Sequence, residues 1–277
     1  MNKVALITGA NQGLGFGLAQ RLNELYKKND TIYLGVRRPE AGQEAIEAIG
    51  NTNAQLEVIY IDISKEESVV EAKNFILEKH GGIDLLIGNA AQRLSQEKSN
   101  KDQVESYIHT NIYGTYSLLK HFQPILKNDA KFIIVASAFG SLLNLNESLH
   151  PLFNTDSMSL EDINKTMQDY VDDVKTENDL EKGWPEWINT PSKIGQVALM
   201  RIAAREEASN HPEKNTSIFS VCPGWVYTES SKPYIDSMGQ DALSAYDAAE
   251  HIIKLVANTK DNFSGKLIQY AKEIPWN

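Results

Sequence analysis

The sequence predicts a single doubly wound α/β domain, a parallel sheet covered on both faces by helices. Three observations carry that expectation. Short β-rich apolar runs alternate with longer stretches of helical period. The runs are near-continuously apolar, as strands buried on both faces are. The first of them leads straight into a glycine-rich turn and then an amphipathic stretch. The 277 residues include 42% hydrophobic side chains, enough for a sizeable core.

Seven strands are predicted: Val4 to Thr8, Thr31 to Val36, Leu56 to Asp62, Ile83 to Asn89, Lys131 to Ser137, Ser217 to Cys222 and Lys266 to Tyr270. The helices between them carry their own signals. Leu14, Leu18, Leu22 and Leu25 mark one apolar stripe, and Ser64-Lys65-Glu66-Glu67 reads as a capping box opening a helix toward His80. Between Ser141 and Pro185 the alternation breaks, which marks an insertion. Its period through Ile163, Met167, Tyr170 and Val174 predicts a helix from Ser159 to about Thr176, so the insertion is expected to be ordered.

The formal net charge of -10 argues against nucleic acid or an anionic membrane surface as a partner, since both demand clustered Lys and Arg. Cys222 is the one cysteine, which excludes an intrachain disulfide framework or a thiolate metal cluster and suits a reducing compartment. No secretory leader is recognisable at Met1-Asn2-Lys3, and no apolar run approaches membrane length. The expectation is a soluble cytoplasmic protein acting on a small molecule, without a metal.

The turn Thr8-Gly9-Ala10-Asn11-Gln12-Gly13-Leu14-Gly15 gives this fold a ligand. A pyrophosphate needs backbone N–H groups and the positive end of a helix, with no side chains in the way. Gly9 allows the tight turn, Gly13 the close approach of backbone to ligand, and Gly15 the packing of helix near sheet, which makes this a Rossmann-type dinucleotide site. A nicotinamide dinucleotide is expected. Val36-Arg37-Arg38 ends the second strand where an NAD site would place an acid, and the planar fork of Arg37 suits the 2′-phosphate of NADPH; NAD is the less favoured cofactor. Asp62 and Ile63 end the third strand where adenine would lie, and Asn89 ends the fourth where the ribose would pass. Ordinary turn chemistry is an equal reading of both positions.

With these pieces placed, the chain resembles the short-chain dehydrogenase/reductase family, and within it the monomeric NADPH-dependent carbonyl reductases. The likeness runs almost end to end, through the glycine turn, Gly88-Asn89-Ala90-Ala91, Thr110-Asn111-Ile112-Tyr113-Gly114-Thr115, Val135-Ala136-Ser137, Gly183-Trp184-Pro185, Ser192-Lys193-Ile194-Gly195 and Cys222-Pro223-Gly224-Trp225-Val226-Tyr227-Thr228. The resemblance implies one domain over residues 1–277, with an insertion at about 141–185 that favours a monomer and a substrate loop at about 228–239. It implies catalytic roles for Asn111, Ser137 and Lys193, and nicotinamide contacts from Lys193, Pro223, Val226 and Thr228, with Asn11, Gln12 and Leu14 completing the phosphate turn.

The family's fourth catalytic group is a tyrosine four residues before the lysine, and that position here is Asn189. An Asn amide donates a hydrogen bond but delivers no proton, so general-acid catalysis of about 10²–10⁴ in rate is lost or supplied elsewhere. Ser137 and Asn189 could stabilise developing negative charge as a pair, with water relaying a proton from Lys193. Asn189-Thr190-Pro191 also reads simply as the start of a helix, with Thr190 as cap and Pro191 in the first turn. Tyr227 and Tyr170 are candidate replacement phenols, and Trp184, Trp187 and Trp225 are candidate walls of a substrate pocket; core packing is an equal reading of the tryptophans. The leading expectation is an NADPH-dependent reductase of a C=O or C=N bond, an imine gaining weight because a pre-protonated nitrogen needs no acid. A non-redox cyclisation or isomerisation, or a catalytically silent NADP(H) sensor, are the alternatives.

Overall fold

The computed structural model describes residues 2–229, 231–239, 241–258 and 260–277. From the N-terminus the elements are β1 (Val4–Thr8), α1 (Gly13–Leu25), β2 (Thr31–Val36), α2 (Pro39–Ile49), β3 (Gln55–Tyr60), α3 (Glu66–His80), β4 (Ile83–Gly88), α4 (Asn100–Ile108), α5 (Gly114–Phe122) and β5 (Leu126–Val135). They continue with α6 (Leu160–Lys175), α7 (Asn189–Asn210), β6 (Ser217–Val221), α8 (Lys232–Met238), α9 (Ala245–Ala257), β7 (Leu267–Gln269) and β8 (Lys272–Ile274).

The strands form one sheet in the order β3-β2-β1-β4-β5-β6-β7-β8, parallel throughout except for β8, which runs antiparallel to β7. The chain winds outward from β1 through β2 to β3, then crosses back to place β4 on the other side of β1. A crevice opens at such a reversal, beyond the carboxyl ends of β1 and β4. β1 and β2 are buried along their whole length, which explains their unbroken apolar sequences. β3 is an edge strand with Gln55 and Tyr60 exposed, and departs from that pattern. The core divides into two layers. Leu18, Leu22, Ala45 and Ile252 pack on one face of the sheet, while Val69, Phe122, Met167 and Leu199 belong to the core on the other.

Three sequence expectations are corrected here. The sheet has eight strands, because Tyr270 and Ala271, both at positive φ (48° and 60°), turn the chain back into β8. That turn lacks the Asn-Gly or Gly pair that announces a tight hairpin. Ser64 does not cap α3: its hydroxyl and N–H both donate to Asp62 Oδ1, at 2.7 and 3.1 Å, and Lys65 takes the cap position without a side-chain bond. Thr190 is not the cap of α7, which begins at Asn189, so Pro191 lies inside its first turn.

The insertion is ordered. Ser159 caps α6 in a reciprocal box with Asp162, and α6 packs against α4 and α7. The C-terminal tail closes on its start, with Ser141 Oγ donating to Pro275 O at 2.7 Å and Leu142 N donating to Trp276 O at 2.7 Å. Among the described residues no helix is long and apolar enough to cross a membrane.

Candidate active site

One cavity of about 970 Å³ occupies the crevice at the carboxyl ends of the strands. Gly9, Asn11, Gln12, Gly13, Leu14 and Gly15 line it at the phosphate turn, with Gly35, Arg37, Asp62 and Ile63 on one side and Asn89 beside them. Gly9 adopts φ +67° and donates its N–H to Gly35 O at 2.7 Å, which turns the chain sharply out of β1. Gln12 occupies the cap position of α1 with no side-chain hydrogen bond, so no cap competes for the first N–H groups of that helix. At Gly15 an added Cβ would lie 2.1 Å from Gly9 O and 2.6 Å from Asn89 Nδ2. The glycine is therefore required by the turn itself, a tighter constraint than the helix-to-sheet packing expected of it.

Asn89 serves that same turn: its Nδ2 donates to Thr8 O at 2.9 Å, and its N–H donates to Thr8 Oγ1 at 3.0 Å. Asp62 faces the cavity with Oδ1 held by Ser64. Arg37 is exposed at the rim, and its guanidinium has no ion pair or hydrogen bond among the described residues.

At the other end, Ser137, Asn189, Lys193, Pro223, Trp225, Val226 and Thr228 line the cavity. Ser137 follows β5, and its Oγ accepts from Phe139 N at 3.3 Å. Asn189 and Lys193 stand one turn apart on α7. Lys193 Nζ donates to Gln196 Oε1 at 2.8 Å, Gln196 Nε2 to Thr115 Oγ1 at 3.0 Å, and Thr115 Oγ1 to Asn111 O at 2.6 Å. Burial with no carboxylate beside it pulls the Lys193 ammonium down to about 8. Burial pushes the neighbouring Cys222 thiol up.

Four side chains predicted near the chemistry lie elsewhere. Asn111 sits in a π-helical turn (His109–Tyr113), 1% exposed, with Oδ1 accepting from Gln92 N at 2.8 Å and Nδ2 directed at Ser192 Oγ, 3.5 Å away. Its amide thus fixes the loop after β4 and does not line the cavity. Trp184 is buried and lines no part of this cavity; its ring centre is 4.7 Å from that of Tyr170, and its Nε1 donates to Asp173 Oδ2 at 3.1 Å. Tyr170 itself is wholly buried, and burial raises its phenol far above the usual range. Tyr227 points to solvent, 45% exposed, its hydroxyl 3.5 Å from Asp236 Oδ1. Of the loop at 228–239, Thr228 and Ser231 line the cavity and Ser230 lies outside the described residues.

A family model described as short chain dehydrogenase matches residues 3–148. The chain belongs to the short-chain dehydrogenase family. Over 279 aligned residues it is 28% identical to NADPH carbonyl reductase 1 of Mus musculus, covering 99% of this chain and 98% of that protein. Among solved structures, salutaridine reductase from Papaver somniferum superposes with a TM-score of 0.80 at 23% identity, covering 96% of this chain and 99% of that one. Menthone neomenthol reductase from Mentha piperita superposes with a TM-score of 0.77 at 20% identity, covering 98% and 100%.

In this short-chain dehydrogenase the cavity walls also include residues that sequence reasoning passed over. Phe139 stands edge-on to Trp187, ring centres 5.0 Å apart, and both line the cavity with Leu94 and Arg93. Tyr107 of α4 lines it too, and its hydroxyl donates to Asn189 Oδ1 at 2.7 Å. Tyr107 and Asn189 are 82 residues apart, and no local motif links them.

Proposed function

We propose that this short-chain dehydrogenase reduces a C=O or C=N bond of a small molecule with NADPH. The observation that carries the reading is the continuity of one cavity, from the glycine turn and Arg37 to Ser137, Asn189 and Lys193. Its two ends suit the two halves of a dinucleotide: bare backbone where a Cβ would collide, and a cluster of polar side chains under an aromatic wall. Bound NADPH would supply the hydride and its two electrons.

The chain's own residues account for the remainder. Gly9, Asn11, Gln12, Gly13, Leu14 and Gly15 hold the pyrophosphate, with Arg37 on the 2′-phosphate and Asp62 and Ile63 beside the adenine. Lys193, Pro223, Val226 and Thr228 hold the nicotinamide nucleoside. Ser137 donates to the substrate oxygen or nitrogen, Asn189 adds a second donor, and Phe139, Trp187 and Trp225 exclude water from the reacting bond. The helix α6 lies over α4 and α7, which supports a monomer.

Steady loss of NADPH absorbance with a panel of activated ketones, aldehydes and iminium ions is the expected result. Product formation without NADPH loss, or NADPH binding without product, would overturn the reductase reading. Arg37 offers a sharper measurement. Arg37→Ala is expected to weaken NADPH binding about 10–100-fold, the worth of charge-assisted hydrogen bonds to one phosphate. NADH binding should stay within about twofold. Equal losses for both nucleotides, by fluorescence titration, would mean that Arg37 does not read the 2′-phosphate.

The same cavity sets the expectation for Asn189→Tyr. The phenol of Tyr107 already fills the space one hydrogen bond beyond Asn189, so the larger ring has to displace it. A loss of thermal stability of roughly 1–3 kcal/mol is expected, as for an overpacked interior. Calorimetry that finds the variant as stable as the parent would show that α4 yields freely.

A further inference from the structure

We propose that Tyr107 is the proton donor of this enzyme, a phenol brought across from α4 to the place that Asn189 leaves without an acid. The proposal rests on the reductase reading above and adds to it the residue that completes the reaction.

Tyr107 is 3% exposed, yet it lines the cavity shared by Ser137, Asn189 and Lys193. A tyrosine buried only for packing satisfies its hydroxyl on any nearby carbonyl. The carbonyl that takes this one belongs to a side chain of the cavity wall, Asn189 Oδ1 at 2.7 Å, so the phenol is held at the cavity and not in the core behind it. Asn189 has no acidic proton to give, and the phenol from α4 reaches the same stretch of cavity wall. With Oδ1 engaged by Tyr107, the Asn189 amide turns Nδ2 away from the phenol, and that nitrogen makes no hydrogen bond among the described residues. The pair thus offers an amide N–H and a phenolic O–H within one hydrogen bond of each other.

The other phenols considered are excluded by position. Tyr170 is sealed in the core behind Trp184, and Tyr227 faces solvent. Lys193 is turned to Gln196. In the step proposed, bound NADPH would supply the hydride, and the Tyr107 O–H leaves Asn189 Oδ1 for the substrate oxygen as the C=O π pair moves onto that oxygen. That oxygen takes the phenolic proton as the Tyr107 O–H bond breaks, and the phenolate is reprotonated from solvent. The sum is one carbonyl, one NADPH and one proton giving one alcohol and one NADP⁺.

The test is Tyr107→Phe in the full chain, with two probes that differ only in their need for a proton. 2,2,2-Trifluoroacetophenone must be protonated on oxygen; the N-methyl-3,4-dihydroisoquinolinium ion accepts hydride and becomes a neutral amine with no proton added. Single-turnover reduction of the ketone is expected to fall about 10²–10³-fold. Reduction of the iminium ion should change by less than about threefold, and NADPH affinity, from quenching of protein fluorescence, by less than about twofold. A ketone rate within threefold of the parent, or equal losses on both probes, would overturn the proposal while leaving the reductase reading intact. A parent that oxidises NADPH with neither probe overturns both. Where Tyr107→Phe does not fold, the double variant Tyr107→Ala with Asn189→Tyr moves the phenol to α7 and is expected to keep ketone reduction within about tenfold of the parent. Loss of the ketone reaction with the iminium reaction retained in that variant would also count against the proposal.

Discussion

Lys193→Met is expected to raise the melting temperature at neutral pH while weakening NADPH binding about 10–100-fold, the worth of a charge-assisted hydrogen bond to the nucleoside. The gain in stability has an electrostatic cause. The ammonium lies part-buried in the cavity wall without a carboxylate, with Gln196 as its polar partner, and desolvation lowers its pKa from 10.5 to about 8. A folded-state pKa below the unfolded one means that the unfolded chain binds more protons between those two values, so the parent gains stability as pH rises from about 8 to 10.5. Below pH 8 the folded protein carries the desolvation penalty of that charge. Methionine removes it, at the expense of the hydrogen bond to Gln196, worth about 1 kcal/mol. A net gain on the order of 1–2 kcal/mol, or about 2–8 °C, is expected. The advantage should be greatest below pH 8 and fade toward pH 10.5. Scanning calorimetry from pH 6 to 10 checks it: a variant less stable than the parent at pH 7, or a difference independent of pH, would show that the amine is well solvated. Catalysis in the parent should decline above pH 8 as the ammonium is lost.

Gly15→Ala carries the second large effect. Its Cβ would meet Gly9 O at 2.1 Å and Gly9 C at 2.8 Å, both backbone atoms of the phosphate turn, and Asn89 Nδ2 at 2.6 Å. No side chain can swing aside to relieve the two backbone contacts, so the turn has to open. NADPH affinity is expected to fall at least about 100-fold, with roughly 1–3 kcal/mol lost in stability. Gly81→Ala is the control. Gly81 ends α3 at φ +69°, and an added Cβ there meets nothing within 4 Å. That substitution should cost about 1 kcal/mol of conformational strain and leave NADPH affinity unchanged. Equal affinities for the two variants, by fluorescence titration, would show that the turn at Gly15 is not rigid enough to matter.

Much of the molecule was legible in the sequence because its causes are local. The strands from β1 to β7 follow from short apolar runs between helical periods, and the phosphate turn from three glycines between a strand and a helix. Asn189 and Lys193 share a face because four residues make one helical turn. The start of α6 at Ser159 was legible from its helical period, and the box that fixes it, Ser159 with Asp162, is likewise a contact between near neighbours. Where two local partners compete, this certainty ends: Ser64 had Asp62 two residues before it and Glu67 three after, and Asp62 took it.

Tertiary structure alone decided what each side chain near the site faces. Asn111, Trp184 and Trp187 look equally suited to a pocket in sequence, but packing of α6 and the π-helical turn bury the first two and leave Trp187 on the cavity wall. Strand β8 forms because β7 offers an open edge, although its sequence Lys272-Glu273-Ile274 carries no strand signal of its own. The missing acid shows the division most clearly. The sequence by itself determined that Asn189 stands four residues before Lys193 and cannot give a proton. That a phenol reaches it from α4 was decided only by the fold, because a contact across 82 residues depends on how two helices cross and leaves no periodic trace in the chain.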